Sequence, residues 1–456
     1  MYDLDDTITA ISTSLGNSGI SIIRISGSDA LNIAKKIFVK KTSQDNHFIP
    51  YHFYYGLIKD VVTNETLDEA LLLFMKSPKS YTGEDVIEIQ CHGGIISTVS
   101  ILKNIIKAGA RLAKEGEFTY RAFLNGKKDL TQAEAIEALI HSRTKTQSTN
   151  ALKQLEGFYK NEFDDIFRYF DDCRVFLEAE INFPEDIDTT FRFDDKKVYL
   201  LENKLEKLSK SYEDGMPLFK GITSLIIGKP NVGKSSFLNT ILQYERAIVS
   251  DIPGTTRDFI EESIIFEGVP LKIIDTAGIR SAYDEIEKIG IERALSFLPS
   301  AKIIFAIFDA SKPFDKDDYI IIDRLKNKKD ALIFVLGNKS DLSINIKLEE
   351  LSFENIFYIS LKTKEGFEDF KDAFRQKIID IYSLSFENSF YVTNERHFGI
   401  INEMLAMVRE MKKNLNDKFA LLFSINNLLA LYNKLLGKEF NLEDIDNIFK
   451  KFCIGK

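Results

Sequence analysis

The stretch Gly228-Lys-Pro-Asn-Val-Gly-Lys-Ser235 limits what this chain can fold into more than any other. It directly follows an apolar run at 222–227 and precedes Phe237-Leu-Asn, where a helical pattern begins. Two glycines with four residues between them, then Lys and Ser, at a strand-to-helix junction read as a phosphate-binding loop. Each position has a task. The glycines let successive backbone N–H groups turn inward as an anion nest, Lys234 places a point charge on the terminal phosphates, and the Ser235 hydroxyl suits Mg²⁺. The pattern alone also arises by accident, so the strand ends that follow must decide whether it is real.

They agree with it. Five apolar runs of β type alternate with helical segments, at 222–227, 271–274, 302–308, 331–336 and 356–359, the layout of a parallel α/β sheet. Asp275-Thr-Ala-Gly278 follows the second run, where Asp275 can reach magnesium through water and the Gly278 N–H can meet a γ-phosphate. Asn338-Lys-Ser-Asp341 ends the fourth, and its last carboxylate suits the N1–H and exocyclic amine of guanine, donors in an arrangement adenine does not offer. Ser360-Leu-Lys362 follows the fifth, where a backbone N–H can meet the guanine carbonyl. Four elements in order at strand ends predict a GTP site. One element is missing. The residue after Gly278, a water-orienting glutamine in Ras-like proteins, is Ile279. Hydrolysis then needs another group, for which the acidic residues Asp284, Glu285 and Glu287 are candidates; the same segment also reads as a solvated helix start.

The remainder of the chain is organised around this insertion. Its 456 residues are enough for about three domains, and 44% hydrophobic with 28% charged residues is a soluble globular balance. No stretch approaches about 18 uninterrupted apolar residues, and the acidic start Met1-Tyr-Asp-Leu-Asp-Asp6 lacks the features of a secretory or transit peptide, so a cytoplasmic protein with no membrane partner is expected. Cys91, Cys173 and Cys453 are far apart and unpaired in spacing, which argues against a disulfide framework or a zinc site. Sixty Lys plus Arg against 69 Asp plus Glu leaves a net charge of −9, the wrong sign for coating nucleic acid by charge alone, so any such contact is local or shared. Short apolar or alternating runs at 20–25, 52–58 and 67–75, with a helical pattern at 95–108, predict a mixed α+β unit over the first 120 residues. Helical periodicity starts near 131 (Ala133, Ile136, Leu139, Ile140, later Phe163, Ile166 and Phe170) and stops near Gly215-Met-Pro217. It resumes at Phe398, Ile401, Leu405 and Val408 and runs to Leu428, Leu431 and Leu435, with Gly437 and then Asn441 and Asp444 separating two helices. One helical domain interrupted by an α/β insertion is the expected arrangement, with boundaries at 1–120, 121–219, 220–378 and 379–456.

Several further motifs accompany the phosphate loop: Asp251-Ile-Pro-Gly-Thr-Thr-Arg-Asp258, Arg24-Ile-Ser-Gly27, Thr82-Gly-Glu-Asp85, His92-Gly-Gly94, Phe123-Leu-Asn125 and the final Phe452-Cys-Ile-Gly-Lys456. Together, from end to end, they resemble the MnmE (TrmE) family of tRNA modification GTPases. The resemblance implies a multidomain α+β protein: an N-terminal α+β tetrahydrofolate-binding domain, a central helical domain and an inserted Ras-like α/β GTPase domain with a mainly parallel sheet. It also implies an enzyme that works with the flavoprotein MnmG on tRNA. The pair adds an aminomethyl-type (carboxymethylaminomethyl) group at carbon 5 of the wobble uridine, from 5-formyl- or methylene-tetrahydrofolate. GTP hydrolysis would be stimulated by potassium and by pairing of the GTPase domains in a homodimer. Because the chain carries no dinucleotide fingerprint of its own, the flavin step must come from the partner.

The family's site residues carry over position by position. GTP contacts fall on Asn231, Val232, Gly233, Lys234, Ser235 and Ser236, then on Ser250, Asp251, Ile252, Pro253, Gly254, Thr255 and Thr256. They continue on Asp275, Thr276, Ala277 and Gly278, and on Asn338, Lys339, Asp341, Ser360, Leu361 and Lys362. Magnesium falls to Ser235 and Thr256, potassium to Asn231 with Ser250, Ile252 and Thr255, and the catalytic acid aligns with Glu287. The folate site falls to Arg24, Glu88, Lys127 and Lys456, suitable types because folates carry glutamate carboxylates and a pterin ring that donates to a carboxylate. Ser250 stands where Thr is common and Leu361 where Ala is usual, both positions that act through backbone atoms. Cys453 reads as a small buried hydrophobe. The other class that shares these GTPase elements is the ribosome-assembly switch, which has no need of the Arg24 and Lys456 ends.

Overall fold

The structure is a computed structural model that describes residues 6–41, 46–183, 193–246, 261–274, 295–381, 390–439, 448–450, 452, 454 and 455. The chain forms two compact units, one of Met1–His141, Ala151–Glu202 and Glu403–Lys456, the other of Ser142–Asn150 and Asn203–Asn402.

The first unit begins with β1 (Ile8–Ile11), β2 (Ser18–Ser26), α1 (Ala30–Ile37), β3 (Phe38–Lys40), β4 (Phe53–Lys59), β5 (Thr66–Met75), β6 (Val86–Gly93), α2 (Ile95–Ala108) and β7 (Arg111–Leu112). The strands make one seven-stranded sheet in the order β3-β4-β5-β6-β2-β1-β7. All neighbours are antiparallel except β1 and β7. Alternation explains its two faces: Ile23 and Ile25 on β2, Ala70, Leu72 and Phe74 on β5 and Ile87 and Ile89 on β6 are buried in one core with Ile33 and Ile37 of α1 and Ile101 and Ile105 of α2. The residues between them point the other way, and the register sets Arg24 directly opposite Glu88. The expected strands and the 95–108 helix are present; β1, β3, β6, β7 and α1 were not anticipated, being short or interrupted by polar residues.

Helices follow: α3 (Glu117–Leu124), α4 (Leu130–Ile140), α5 (Lys145–Leu155), α6 (Phe158–Asn182) and α7 (Asp195–Lys220). Asp129 and Gln132 cap α4 reciprocally, each side chain serving the other's backbone N–H. The expected stop near Gly215-Met-Pro217 is corrected, since α7 runs through Pro217 to Lys220. Proline removes one helical donor. Here burial of Leu218 in the second unit's core and the bond from the Gly221 N–H to the Pro217 carbonyl carry the last turn on.

The second unit holds β8 (Ile222–Ile227), α8 (Lys234–Arg246), β9 (Glu261–Phe266), β10 (Val269–Ile274), β11 (Ile303–Asp309), α9 (Lys316–Lys326), β12 (Leu332–Asn338), β13 (Asn355–Ile359) and α10 (Phe367–Ile381). The six strands lie in the order β13-β12-β11-β8-β10-β9, parallel throughout except for β9. A parallel sheet is covered on both faces, so its strands are apolar without alternation. Strand β11, Ile-Ile-Phe-Ala-Ile-Phe-Asp, is buried at every residue but the last. Phe305 and Phe334 pack on one side with Phe237, Phe370 and Phe374, and Ile304 and Val335 on the other with Ile321 and Leu325 of α9. Strand β9 escaped the sequence reading because an antiparallel edge strand need not be apolar throughout.

The chain ends with α11 (Glu395–Lys413) and α12 (Lys418–Leu436). Among the described residues α12 alone is long and apolar enough to span a membrane by length and composition. It packs instead along α6 in the first unit, with the Tyr432 ring stacked on Phe167 at 4.1 Å. Asn441 and Asp444 lie outside the described residues.

One buried charge network ties α3 to the segment before β1, the loop before β6 and β7. Arg121 on α3, with its side chain fully buried, donates to Asp6 at 2.6 Å, to Glu84 at 3.1 Å and to Glu117 at 3.1 Å, and Arg111 pairs with Asp6 and Glu117 from the other side. Removing one partner of a buried ion group strands the others, at a cost of about 3–5 kcal/mol. The Arg121→Met variant should therefore lower the protection of the Ile8–Ile11 and Glu117–Leu124 amides by that amount in native-state hydrogen exchange. Unchanged protection would show that Arg111 alone neutralises the carboxylates.

Candidate functional site

The nucleotide elements meet at one edge of the second unit's sheet, where parallel strands deliver their C-terminal ends. The chain leaves β8 at Gly228, where a Cβ would stand 2.2 Å from the Ile307 carbonyl oxygen, so the loop can pass that close to β11 only as glycine. Asn231 and Gly233 take left-handed backbone angles, with φ of 61° and 108°, and turn the loop into the first residue of α8. There Lys234 donates through Nζ to the carbonyls of Gly228 at 2.7 Å and Lys229 at 2.6 Å, folding its side chain back over the loop. Ser235 and Ser236 are exposed on the first turn of α8.

Asn338, at the end of β12, joins this loop to the segment that follows β13. Its buried Nδ2 donates to the Val232 carbonyl at 2.7 Å, and its Oδ1 accepts from the Leu361 N–H at 3.2 Å. Ser360 donates through Oγ to the Asp341 carboxylate at 2.7 Å while accepting from the Thr363 N–H at 3.1 Å, so the exposed Asp341 is held from behind. Lys339, in a left-handed conformation with φ of 68°, donates to Asp309 at 2.6 Å. Burial pushes the Asp309 carboxyl up, but Lys339 and Ser311 outweigh it and hold the group below the usual carboxylate range. Asp309 was missed in the sequence because the last residue of an apolar strand carries no motif; its signal was its place at the strand end.

A second cluster lies on the face of the first unit's sheet turned away from α1 and α2, where Tyr81 and Phe118 partly cover it. Arg24 donates to Glu88 through Nε at 3.0 Å and Nη2 at 2.8 Å, and its guanidinium lies 5.1 Å from the Tyr81 ring centre and 5.6 Å from that of Phe118. Burial pushes the Tyr81 phenol up. The C-terminal segment reaches the same place: Ile454 forms an isolated antiparallel bridge with Glu115, and the Gly455 carbonyl accepts from Ser12 Oγ at 3.1 Å and Arg24 Nη1 at 3.5 Å. A Cβ at Gly455 would stand 2.3 Å from the Ile11 carbonyl oxygen. Lys127 holds a separate contact, donating to the Pro78 carbonyl at 3.0 Å. Tyr81, Phe118 and Ser12 were not singled out in the sequence, although Tyr81 directly precedes the Thr82-Gly-Glu-Asp85 motif.

Comparison with known proteins decides between the readings. Residues 7–127 match the model of the GTP-binding protein TrmE N-terminus, and residues 130–453 match that of the MnmE helical domain. The tRNA modification GTPase MnmE of Geobacter sulfurreducens is 38% identical over 462 residues, covering 100% of both chains. That of Finegoldia magna is 40% identical over 464 residues, covering 99% of this chain and 100% of its own. Among solved structures, the G domain of the T. maritima FeoB iron transporter is similar over 36% of this chain and 99% of that chain, at 22% identity and a TM-score of 0.25. The chain belongs to the MnmE family of tRNA modification GTPases.

In this MnmE family member the described residues gather Val232, Gly233, Lys234, Asn338, Lys339, Asp341, Ser360 and Leu361 into one hydrogen-bonded edge, and Lys362 follows on the same loop. Ser250, Asp251, Ile252, Pro253, Gly254, Thr255 and Thr256, then Asp275, Thr276, Ala277, Gly278 and Glu287, and finally Cys453 and Lys456, lie outside the described residues. Asp341, assigned from the sequence to the guanine edge, is exposed and held by the Ser360 hydroxyl, which can also bond an asparagine oxygen. Asparagine there trades an acceptor for a donor, which suits a base bearing a carbonyl in place of the guanine amine. Asp341→Asn should cost GTP about ten- to a hundredfold in affinity, the scale of a charged hydrogen bond, and improve that of xanthosine triphosphate. Competition against a fluorescent nucleotide measures both, and an unaltered base preference would remove Asp341 from the base contact.

Proposed function

We propose that this chain hydrolyses GTP to drive modification of the wobble uridine of tRNA. Acting with a flavoprotein of the MnmG type in the cytoplasm, it adds an aminomethyl-type group at carbon 5 from a tetrahydrofolate one-carbon donor. What carries the reading is the Asn338 side chain, which holds the phosphate loop at Val232 and the base loop at Leu361 in a single buried unit. Such a link holds the two ends of a guanine-nucleotide site in one geometry. In this reading the chain divides into a folate domain at 1–120, helical segments at 121–219 and 379–456 and a GTPase domain at 220–378, and it works as a homodimer.

The roles follow from chemistry. Lys234 and the N–H groups from Asn231 to Ser236 bind the phosphates, with Asp275 to Gly278 and Ser250 to Thr256 closing around them. Asp341 reads the base edge, with Ser360, Leu361 and Lys362 beside it and Lys339 holding the loop to Asp309. Ser235 and Asn231 both stand exposed at the open side of the loop, which fits an oxygen ligand for magnesium, with Thr256, and for potassium, with Ser250, Ile252 and Thr255. Such cations would supply positive charge beside the leaving phosphate, a task for which the sequence offers no glutamine after Gly278 and no arginine marked as a finger. Glu287 orients the attacking water, directly or through a second water. Hydrolysis is therefore expected to rise with K⁺ and with protein concentration, as two GTPase domains pair. The Glu287→Ala variant should bind GTP almost as tightly as the wild type and turn it over about 10²-fold more slowly, the scale of lost general-base assistance. Equal rates in K⁺ and Na⁺ exclude the cation; wild-type turnover without Glu287 returns the assignment to Asp284 and Glu285.

The folate site is assigned to Arg24, Glu88, Lys127 and Lys456. The support is local: Glu88 and two aromatic rings orient the Arg24 guanidinium, and the Gly455 carbonyl brings the C-terminal segment to it. Removal of Ile454 to Lys456 is expected to weaken binding of 5-formyltetrahydrofolate while leaving GTP affinity unchanged. Calorimetry that shows unchanged folate binding would take the C-terminal segment out of the site.

A further inference from the structure

The second residue of the phosphate loop has a partner on another element. Lys229 reaches across the loop entry to the N-terminal end of α9, where its Nζ lies 2.5 Å from Asp315 Oδ2 and 2.6 Å from Asp318 Oδ2. The two carboxylates are themselves fixed. Asp315 is the N-cap of α9 and accepts from the N–H groups of Asp317 and Asp318, and Asp318 Oδ2 accepts in return from the Asp315 N–H. Asp318 is nearly buried, with 6% of its side chain exposed against 20% for Lys229 and 59% for Asp315. A carboxylate so enclosed needs a cation, and Lys229 is the cation given to it.

We propose that Lys229 is a positioning residue for the GTP site, pinning the entry of the phosphate loop to the capped end of α9 so that the nest is formed before nucleotide arrives. This rests on the reading of the chain as a GTPase. The route is short. The Lys229 side chain is held by α9, and its carbonyl accepts from Lys234, the residue that must meet the phosphates. Gly228, immediately before it, is packed so closely on the Ile307 carbonyl that the loop has one wall in β11 and the other in α9. With the pin removed, the loop entry has only the glycine contact to define it, and the N–H groups that follow lose part of their preorganisation. The phosphates shared by GTP and GDP feel this in the ground state and in the transition state alike, so the loss falls on Kd and KM more than on kcat.

Charge and position make opposite predictions. If Lys229 acts only as a positive charge near the phosphates, removing a neighbouring carboxylate makes the site more positive and tightens nucleotide binding. If it acts as a pin, removing a carboxylate loosens the loop and weakens binding. Asparagine is a good N-cap residue, so Asp315→Asn keeps the helix end while halving the anchor. The test is titration of a fluorescent GTP and GDP analogue, with steady-state hydrolysis of GTP, on the full chain carrying Lys229→Met, Lys229→Arg, Asp315→Asn or Asp318→Asn. Lys229→Met is expected to raise Kd for both nucleotides about tenfold with the smaller share of the loss in kcat. Asp315→Asn and Asp318→Asn should weaken binding in the same direction, Lys229→Arg should restore it, and Lys229→Met with Asp318→Asn together should be no worse than Lys229→Met alone. Tighter binding in either asparagine variant, or unchanged Kd in Lys229→Met, overturns the pin. If Lys229→Met does not fold, Asp315→Asn decides by the sign of its effect. A wild-type chain that binds neither nucleotide defeats the GTPase reading itself, a result separate from either outcome for the pin.

Discussion

A parallel sheet buried on both faces can carry chemistry only at the ends of its strands. Strand β11 is apolar from Ile303 to Phe308 and turns polar at Asp309, and β12 is apolar until Asn338. Both polar residues fall on the same edge because the strands run the same way in register, Asp309 pairing with Asn338. That edge is where Gly228 leaves β8. The nucleotide site is thus a consequence of how the core is closed. Once phenylalanines fill one side of the sheet and α9 covers the other, the strand ends are the remaining place where N–H groups, a lysine and carboxylates can be exposed together.

The first unit solves a different problem with a different sheet. Its strands alternate, so one face packs on α1 and α2 and the other is left to present side chains along the middle of the strands. Arg24 and Glu88 belong to that second set, one step from the buried Ile23, Ile25, Ile87 and Ile89. A one-residue slip between β2 and β6 would bury the guanidinium and expose the isoleucines, so the core defends the register that makes the pair. The loop carrying Tyr81 is tied in turn to the buried charge network, since Glu84, three residues on, accepts from both Arg121 and Ser26. A buried arginine is weak evidence for stability. Its value here is geometric, because three acidic groups from separate segments must meet one fork.

How much of this was legible in the sequence depends on range. Residues that complete a spaced motif, such as Lys234 and Asp341, announce themselves by that spacing, and long apolar strands such as β11 do so by burial on two faces. Strand β9 does not, because it is an edge strand that starts with two glutamates. Pro217 was misleading, since proline is read as a stop by local rule while packing further along the chain kept α7 helical. The partners were the least legible. The motifs put Val232 with Asn338, and Arg24 with the C-terminal tail, in common sites without saying which atoms meet, and nothing near Lys339 points to Asp309 or near Arg24 to Tyr81, because each pair is closed by the fold over 30 to 431 residues of sequence.

Those distant partners matter most for selectivity. Gly233 passes so close to Asn338 that an added Cβ would fall 2.2 Å from its Nδ2, and the same amide donates to the Val232 carbonyl. Phosphate loop and base loop are therefore in contact through one buried side chain and cannot shift separately at that point. A ligand that satisfies the phosphates but misplaces its base strands the exposed carboxylate of Asp341, and one that fits the base without phosphates leaves the N–H nest unfilled. A charged acceptor left without its donor forfeits a hydrogen bond, and a loop pinned through one buried side chain has less room to relax toward a poor fit. Rigidity between the two halves of the site turns two modest recognitions into one demanding one. In the proposed reading, a single asparagine with no contact to the reacting bond limits in this way what the loop accepts.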